Sequence, residues 1–208
     1  MSGGSWAEAP INTYKIIPTH QKLTRSQLEI EISWEDLIIH ESTGKWLKLA
    51  PLRVLSFDIE CAGRRGFFPT PDKDSVIQIA SVLSLSSSVA QPLHKAVHTL
   101  NTCSPIPGVE VLPNDTEEKL LMNWCNHFIE ADPDVIVGYN IINFDFPYLI
   151  DRAEHLKLPN FGYFGRDINT KSRVRSTTFS SRAIGKQENK EINIEGRIQF
   201  DVLVALRR

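Results

Sequence analysis

Asp58 and Glu60 stand two apart in Leu52-Arg53-Val54-Leu55-Ser56-Phe57-Asp58-Ile59-Glu60, an apolar stretch that predicts a strand with acids at its far end. Successive side chains on a strand alternate faces, so both carboxylates project from one side with Val54, while Leu55, Phe57 and Ile59 fill the other. Carboxylates lying near core apolar groups need something positive to neutralise them. A divalent cation does this: magnesium and manganese prefer oxygen ligands, and two such ions about 4 Å apart can activate a water and stabilise the leaving oxygen in phosphodiester hydrolysis. The plainer alternative is an acidic strand end that reaches solvent.

A third acid strengthens the metal reading. Val135-Ile136-Val137-Gly138-Tyr139 is a continuously apolar run, typical of a parallel strand covered on both faces. Asn140-Ile141-Ile142-Asn143-Phe144-Asp145 follows it, and functional groups of open α/β sheets collect at the carboxyl ends of strands. Asp145 also suits a plain N-cap, since Pro147 lies two residues on and can open a helix.

The elements that must position these acids read as a mixed α/β fold. Residues 1–50 carry two short extended patterns, at 14–17 and 28–32, which predict a small N-terminal β element. Ala50-Pro51 breaks the pattern, and a domain boundary is placed there, with a second domain over 51–208. Strands at 76–85 and near 96–100 complete an antiparallel meander. Asp115 or Thr116 can cap the helix that follows, with Glu118 placed as in a capping box and Leu120, Leu121, Trp124, Phe128 and Ile129 on one face. A second helix turns Leu149, Ile150, Ala153 and Leu156 inward, and a last strand at 197–202 leads into the start of another helix.

With 208 residues, 41% of them hydrophobic and 23% charged, the chain has the make-up of a globular protein with a real core, and global disorder is excluded. The net charge of -2 means that any nucleic-acid contact is local. The basic part is the C-terminal stretch: residues 163–208 hold ten Lys/Arg against five Asp/Glu. There Lys171, Arg173, Arg175, Arg182, Lys186 and Lys190 interleave with Ser and Thr, which suits a phosphate-facing surface or a solvated hairpin. Three scattered cysteines argue against a disulfide framework or a zinc site and favour a reducing interior. No secretory signal or membrane-length apolar run is seen. The six histidines show no ligand spacing on a helix and receive no role, and residues 165–172 lack the spacing of a phosphate-binding loop.

Phe57-Asp58-Ile59-Glu60 and Asn140-Ile141-Ile142-Asn143-Phe144-Asp145 match, in order and spacing, the first two exonuclease motifs of the family-B DNA polymerases, which the chain resembles. The longer string Leu55-Ser56-Phe57-Asp58-Ile59-Glu60-Cys61-Ala62-Gly63-Arg64-Arg65-Gly66, with Pro133-Asp134, is similar to the delta branch in particular, and the similarity runs almost end to end. The resemblance implies an RNase-H-like exonuclease fold. It implies that Asp58, Glu60 and Asp145 ligate Mg2+ or Mn2+ for 3′→5′ removal of mispaired nucleotides. Asn140 and Phe144 would position the frayed primer end, and a basic β-hairpin at about 176–196, with Arg182, Lys186 and Lys190, would help part primer from template. Single-stranded DNA at a primer 3′ end is the implied partner, together with other polymerase subunits in the parent enzyme, and the nucleus is the implied location.

One part of the family pattern is missing. A fourth carboxylate, in a Tyr-x-x-x-Asp pattern on a later helix, has no counterpart: no Tyr follows Tyr163, and Asp201, the only acid after Glu195, is read as a structural strand residue. The fold is therefore expected to be C-terminally incomplete and the two-ion site to lack a ligand. Since misplacement of about 1 Å can cost roughly a hundredfold in rate, little activity is expected from this chain alone. The rival reading is a noncatalytic nucleic-acid-binding or structural fragment, whose binding would fall steeply with salt.

Overall fold

The computed structural model describes residues 6–88, 90–181 and 185–207, with backbone alone for 177–181 and 185–189. Four short strands open the chain: β1 (Ala7–Glu8), β2 (Tyr14–Ile16), β3 (Ile30–Ile32) and β4 (Ile38–Ile39). They form two antiparallel pairs, β1 with β4 and β2 with β3. The N-terminal segment is tied to the loop near residue 166, where the Arg25 N–H donates to the Arg166 carbonyl at 2.7 Å and Arg25 Nη1 to the Gly165 carbonyl at 2.9 Å.

The remainder is built on a six-stranded mixed sheet. Its strands are β5 (Arg53–Cys61), β6 (Val76–Leu85), β7 (His94–Leu100), β8 (Glu110–Asn114), β9 (Val135–Gly138) and, after an antiparallel hairpin of β10 (Val174–Ser181) and β11 (Gly185–Ile192), β12 (Ile198–Asp201). The sheet order is β12-β9-β5-β6-β7-β8. β5, β6 and β7 form the antiparallel meander, whereas β9 runs parallel to both β5 and β12. β8, parallel to β7, was not anticipated: Pro113 interrupts its pattern and is tolerated because β8 lies at the sheet edge.

Helices α1 (Glu117–Ala131) and α2 (Asp145–His155) pack over an aromatic layer. Phe57 of β5 lies 4.8 Å from Phe146 and 5.1 Å from Trp124 between ring centres, and Phe128 and Phe164 complete the layer. Trp124 can be fully buried because its indole N–H donates to Ser81 Oγ at 3.1 Å. Thr116 caps α1, accepting the Lys119 N–H, while Asp115 pairs with the Lys119 ammonium at 2.7 Å. A buried ion pair joins the helices: Arg152 donates to Glu117 at 2.9 and 2.7 Å. Its desolvation is offset by further partners, the Val76 N–H on Glu117 and the Pro71 carbonyl on Arg152.

Two arginines fasten the far edge. Arg197, its side chain fully enclosed, pairs with Asp132 at 2.7 Å and donates to the Phe164 carbonyl, while Arg166 bridges Asp132 and Asp134. Asp201 closes β12 and opens the short helix α3 (Val202–Leu206). Its buried carboxylate accepts the N–H groups of Asn140 and Leu203 at 2.9 Å on Oδ1, and that of Ile142 at 3.1 Å on Oδ2. Asp201 is thus structural, as its place on a strand suggested.

The histidines do assemble in part. His98 is 2% exposed and neither ring nitrogen has a partner among the described residues. The His127 ring on α1 lies 5.4 Å from it and 5.2 Å from His94, which meets Glu110 at 2.7 Å. Spacing along the chain could not reveal this, because α1 supplies the third ring.

Burial, with the neighbouring His127, pulls His98 from 6.5 down to about 4, so the folded state takes up this proton less readily than the unfolded one. Stability contributed by neutral His98 is then complete above pH 6.5 and lost as pH falls toward 4, on the order of 2 kcal/mol by pH 5. Urea unfolding across that range should show the loss, and His98→Phe should flatten it. Asp201→Asn puts an amide donor among backbone donors, and we expect a loss of about 2 kcal/mol in the same assay.

Candidate active site: a buried carboxylate beside an acidic strand and its aromatic rim

β5 delivers Asp58 and Glu60 on its exposed face, since Leu55, Phe57 and Ile59 are locked into the core on the other. Asp145 reaches the same place from α2. It is the first residue of that helix rather than its N-cap, the position taken by Phe144. Asp145 is only 1% exposed, and its carboxylate accepts the Ile59 N–H of β5 at 3.2 Å, between Asp58 and Glu60 in the chain. Burial first, and the Asp58 charge second, push Asp145 up to about 7, while the Ile59 N–H acts in the opposite sense. Two acids so placed form an electron-rich oxygen pair that a proton or a hard cation would stabilise.

Glu60 is not drawn into this pair. Among the described residues no three His, Cys, Asp or Glu side chains assemble as an ion-holding group. Glu60 stands exposed where the β5–β6 register shifts, between Glu60 and Cys61. The donor set visible here is therefore Asp58 with Asp145, with Glu60 next along the same strand face.

A tight turn sets the approach of α2. Gly138 is required, because a Cβ there would meet Ile141 Cγ2 at 2.2 Å and the Phe57 carbonyl at 3.0 Å. Asn140 takes the left-handed conformation with φ 63°, which Asn tolerates better than most residues. Its N–H is anchored on Asp201, and its carbonyl accepts the N–H groups of Asn143 and Phe144. Asn140 is half-buried and its side chain is 3.4 Å from the Asn143 amide.

Phe144 lies at the rim, half-buried, its ring 5.4 Å from Phe68 and 5.5 Å from Tyr148. Phe68 is 74% exposed and was not singled out from the sequence. It sits in the loop after β5, which is held in shape by Arg64 on buried Asp74 at 2.8 and 3.1 Å and by the Tyr148 hydroxyl on the Asp74 carbonyl at 2.6 Å. Arg64 also lies over Phe67, which is exposed too. An Arg-Gly-Phe-Phe run between strands was the available signal.

Of the basic residues on the hairpin, Lys190 comes to the site's edge, where its ammonium is 3.5 Å from the Asn143 carbonyl. Arg182 lies outside the described residues, and Lys186 falls on β11 with its side chain outside them.

Comparison with known proteins fits this arrangement. The profile of DNA polymerase family B, exonuclease domain, matches residues 1–208. The DNA polymerase delta catalytic subunit of Oryza sativa subsp. japonica is 48% identical over 206 residues, covering 99% of this chain and 18% of that protein. The subunits of the same name from Candida albicans and Dictyostelium discoideum are 47% and 48% identical over 208 residues, covering all of this chain and 20% and 18% of theirs. The chain thus spans about a fifth of the length of these relatives, and along that span it belongs to DNA polymerase family B, as an exonuclease domain of the delta type.

Proposed function

We propose that the chain is the proofreading part of a replicative, nuclear polymerase, and that it removes nucleotides from single-stranded DNA 3′ ends at Asp58, Asp145 and Glu60. The observation that carries this is the buried Asp145 carboxylate, held on the Ile59 N–H of the strand that presents Asp58 and Glu60, beneath an open rim. Their hard oxygen donors suit Mg2+ or Mn2+. When bound, such an ion supplies the charge that activates water and stabilises the leaving oxygen in phosphodiester hydrolysis. The RNase-H-like reading of the fold belongs with this proposal: the carboxylates sit on β5, inside a mixed sheet, and at the start of a helix crossing it.

The chain's own groups supply the positioning. Phe144 and Phe68 offer ring faces on which an unpaired base can stack, and stacking is indifferent to sequence, as removal of any mispaired nucleotide requires. The Asn140 turn fixes where Phe144 and Asp145 stand relative to β5. Lys190 of the hairpin adds positive charge beside the entrance. With Asp201 committed to backbone donors, the carboxylates proposed as ligands are Asp58, Glu60 and Asp145.

Manganese titrated into the purified chain should bind specifically, and Asp58→Ala or Asp145→Ala should weaken binding by more than the roughly 10–100-fold typical of losing an outer-shell partner. EDTA-sensitive shortening of a labelled oligonucleotide should disappear in both variants. Absence of specific binding would leave a fold with nucleic-acid affinity alone. Phe68→Ala should weaken single-strand binding in EDTA by about 1–3 kcal/mol, read by fluorescence anisotropy, with the thermal melt unchanged because the ring is exposed.

A further inference from the structure

A cavity of about 620 Å³ lies at the opposite end of α2 from Asp145, between that helix and residues 157–174. Its volume is in the range of small-molecule sites, roughly 300–1,000 Å³. The lining is of three kinds. Ile150, Leu158, Phe161 and Val174 make an apolar floor. Lys157, Lys171 and Arg173 bring three cations, the Lys171 ammonium lying 3.3 Å from the Pro159 carbonyl, and Asp151 and Glu154 bring two carboxylates from α2. Ser172 also lines the cavity; it is 1% exposed and its hydroxyl has no protein partner among the described residues.

A buried hydroxyl without a partner carries a desolvation cost that a ligand atom would offset. The ligand that suits this lining has a flat apolar ring, a phosphate for the cations and an amino donor for the carboxylates. We propose that this cavity is a second nucleotide site, taking a purine nucleotide with its ring over the Phe161–Val174 floor, its phosphate on Lys171 and Arg173, and a polar atom on Ser172. The inference stands on the cavity's own lining and does not rest on the nuclease reading. The two sites are nonetheless compatible: nine residues of α2 separate Asp145 from Glu154, about 14 Å at 1.5 Å per residue. That is on the order of four nucleotide steps at 3.4 Å each.

The test is a titration of the isotope-labelled chain with dAMP in EDTA, followed by backbone amide shifts. Shifts should cluster at residues 150–174, and Lys171→Glu with Arg173→Glu should weaken binding at least roughly tenfold, the loss of a charge-assisted contact. Ser172→Ala, the smaller change, serves as the second variant should the double one fail to fold, and it too should weaken binding. Tighter binding of a short oligo-dA than of dAMP, with the same loss in the variants, assigns the occupant to a strand; equal binding assigns it to the free nucleotide. Shifts confined to the neighbourhood of Asp58 and Asp145, no shifts at all, or undiminished binding in a folded variant would overturn the proposal. Manganese binding at Asp58 and Asp145 is a separate readout, so either site can fail without the other.

Discussion

A carboxylate that is almost wholly buried, with another carboxylate beside it, is a costly arrangement, and much of this fold is organised to maintain it. Left free, α2 would relieve the repulsion between Asp145 and Asp58 by moving away from β5. Several contacts prevent that. Phe146, the next residue, is locked into the aromatic layer against Phe57 of the same strand. One turn on, Tyr148 is tied to the loop after β5, and one turn further Arg152 is paired with Glu117 of α1. Tyr148 and Arg152 fall three and seven residues after Asp145, on the side of the helix facing its support. Packing and buried hydrogen bonds thus hold an electrostatic conflict in place, as expected where geometry serves chemistry rather than stability.

Much of this was legible in the residues themselves. Period-two burial on 52–60 showed which face of β5 carries Asp58 and Glu60, and the covered run ending in Gly138 identified the parallel strand that leads to Asp145. What the sequence left open was settled by contacts distant in the chain. Whether Asp145 capped its helix or pointed at β5 depends on where the helix lies, and neighbouring residues do not encode that. Glu60 looked equivalent to Asp58 by alternation, yet among the described residues the three acids do not assemble as one ion-holding group, because the register shifts between Glu60 and Cys61. Pro113 hid β8, since a strand with a proline reads as a loop until an edge position makes it acceptable. The aromatic partner of Phe144 lay 76 positions away at Phe68, in a segment without periodicity of either kind.

The histidine cluster and the Arg197 network show a related contrast. Both bring titratable groups out of water, but Arg197 donates from Nε and Nη1 to carbonyl and carboxylate oxygens, leaving Nη2 without a partner, whereas neither ring nitrogen of His98 has one among the described residues. The first can stay charged. The second is retained as a bulky neutral ring filling space beside α1, and its tolerance ends where protonation begins.

The anchoring of the Asn140 turn on Asp201 has a consequence for how the site comes into being. The residues that give the turn its N–H partners are separated from it by about sixty positions, and β12 joins β9 in parallel, a pairing that forms slowly because a long loop must close first. During synthesis, β5 through β9 and α2 emerge well before residue 201 does. Until β12 docks, the turn lacks its Asp201 anchor, although the contacts of α2 with β5 and α1 can already form. The last fastening of the turn is therefore supplied by a strand that contributes no group to the carboxylate pair.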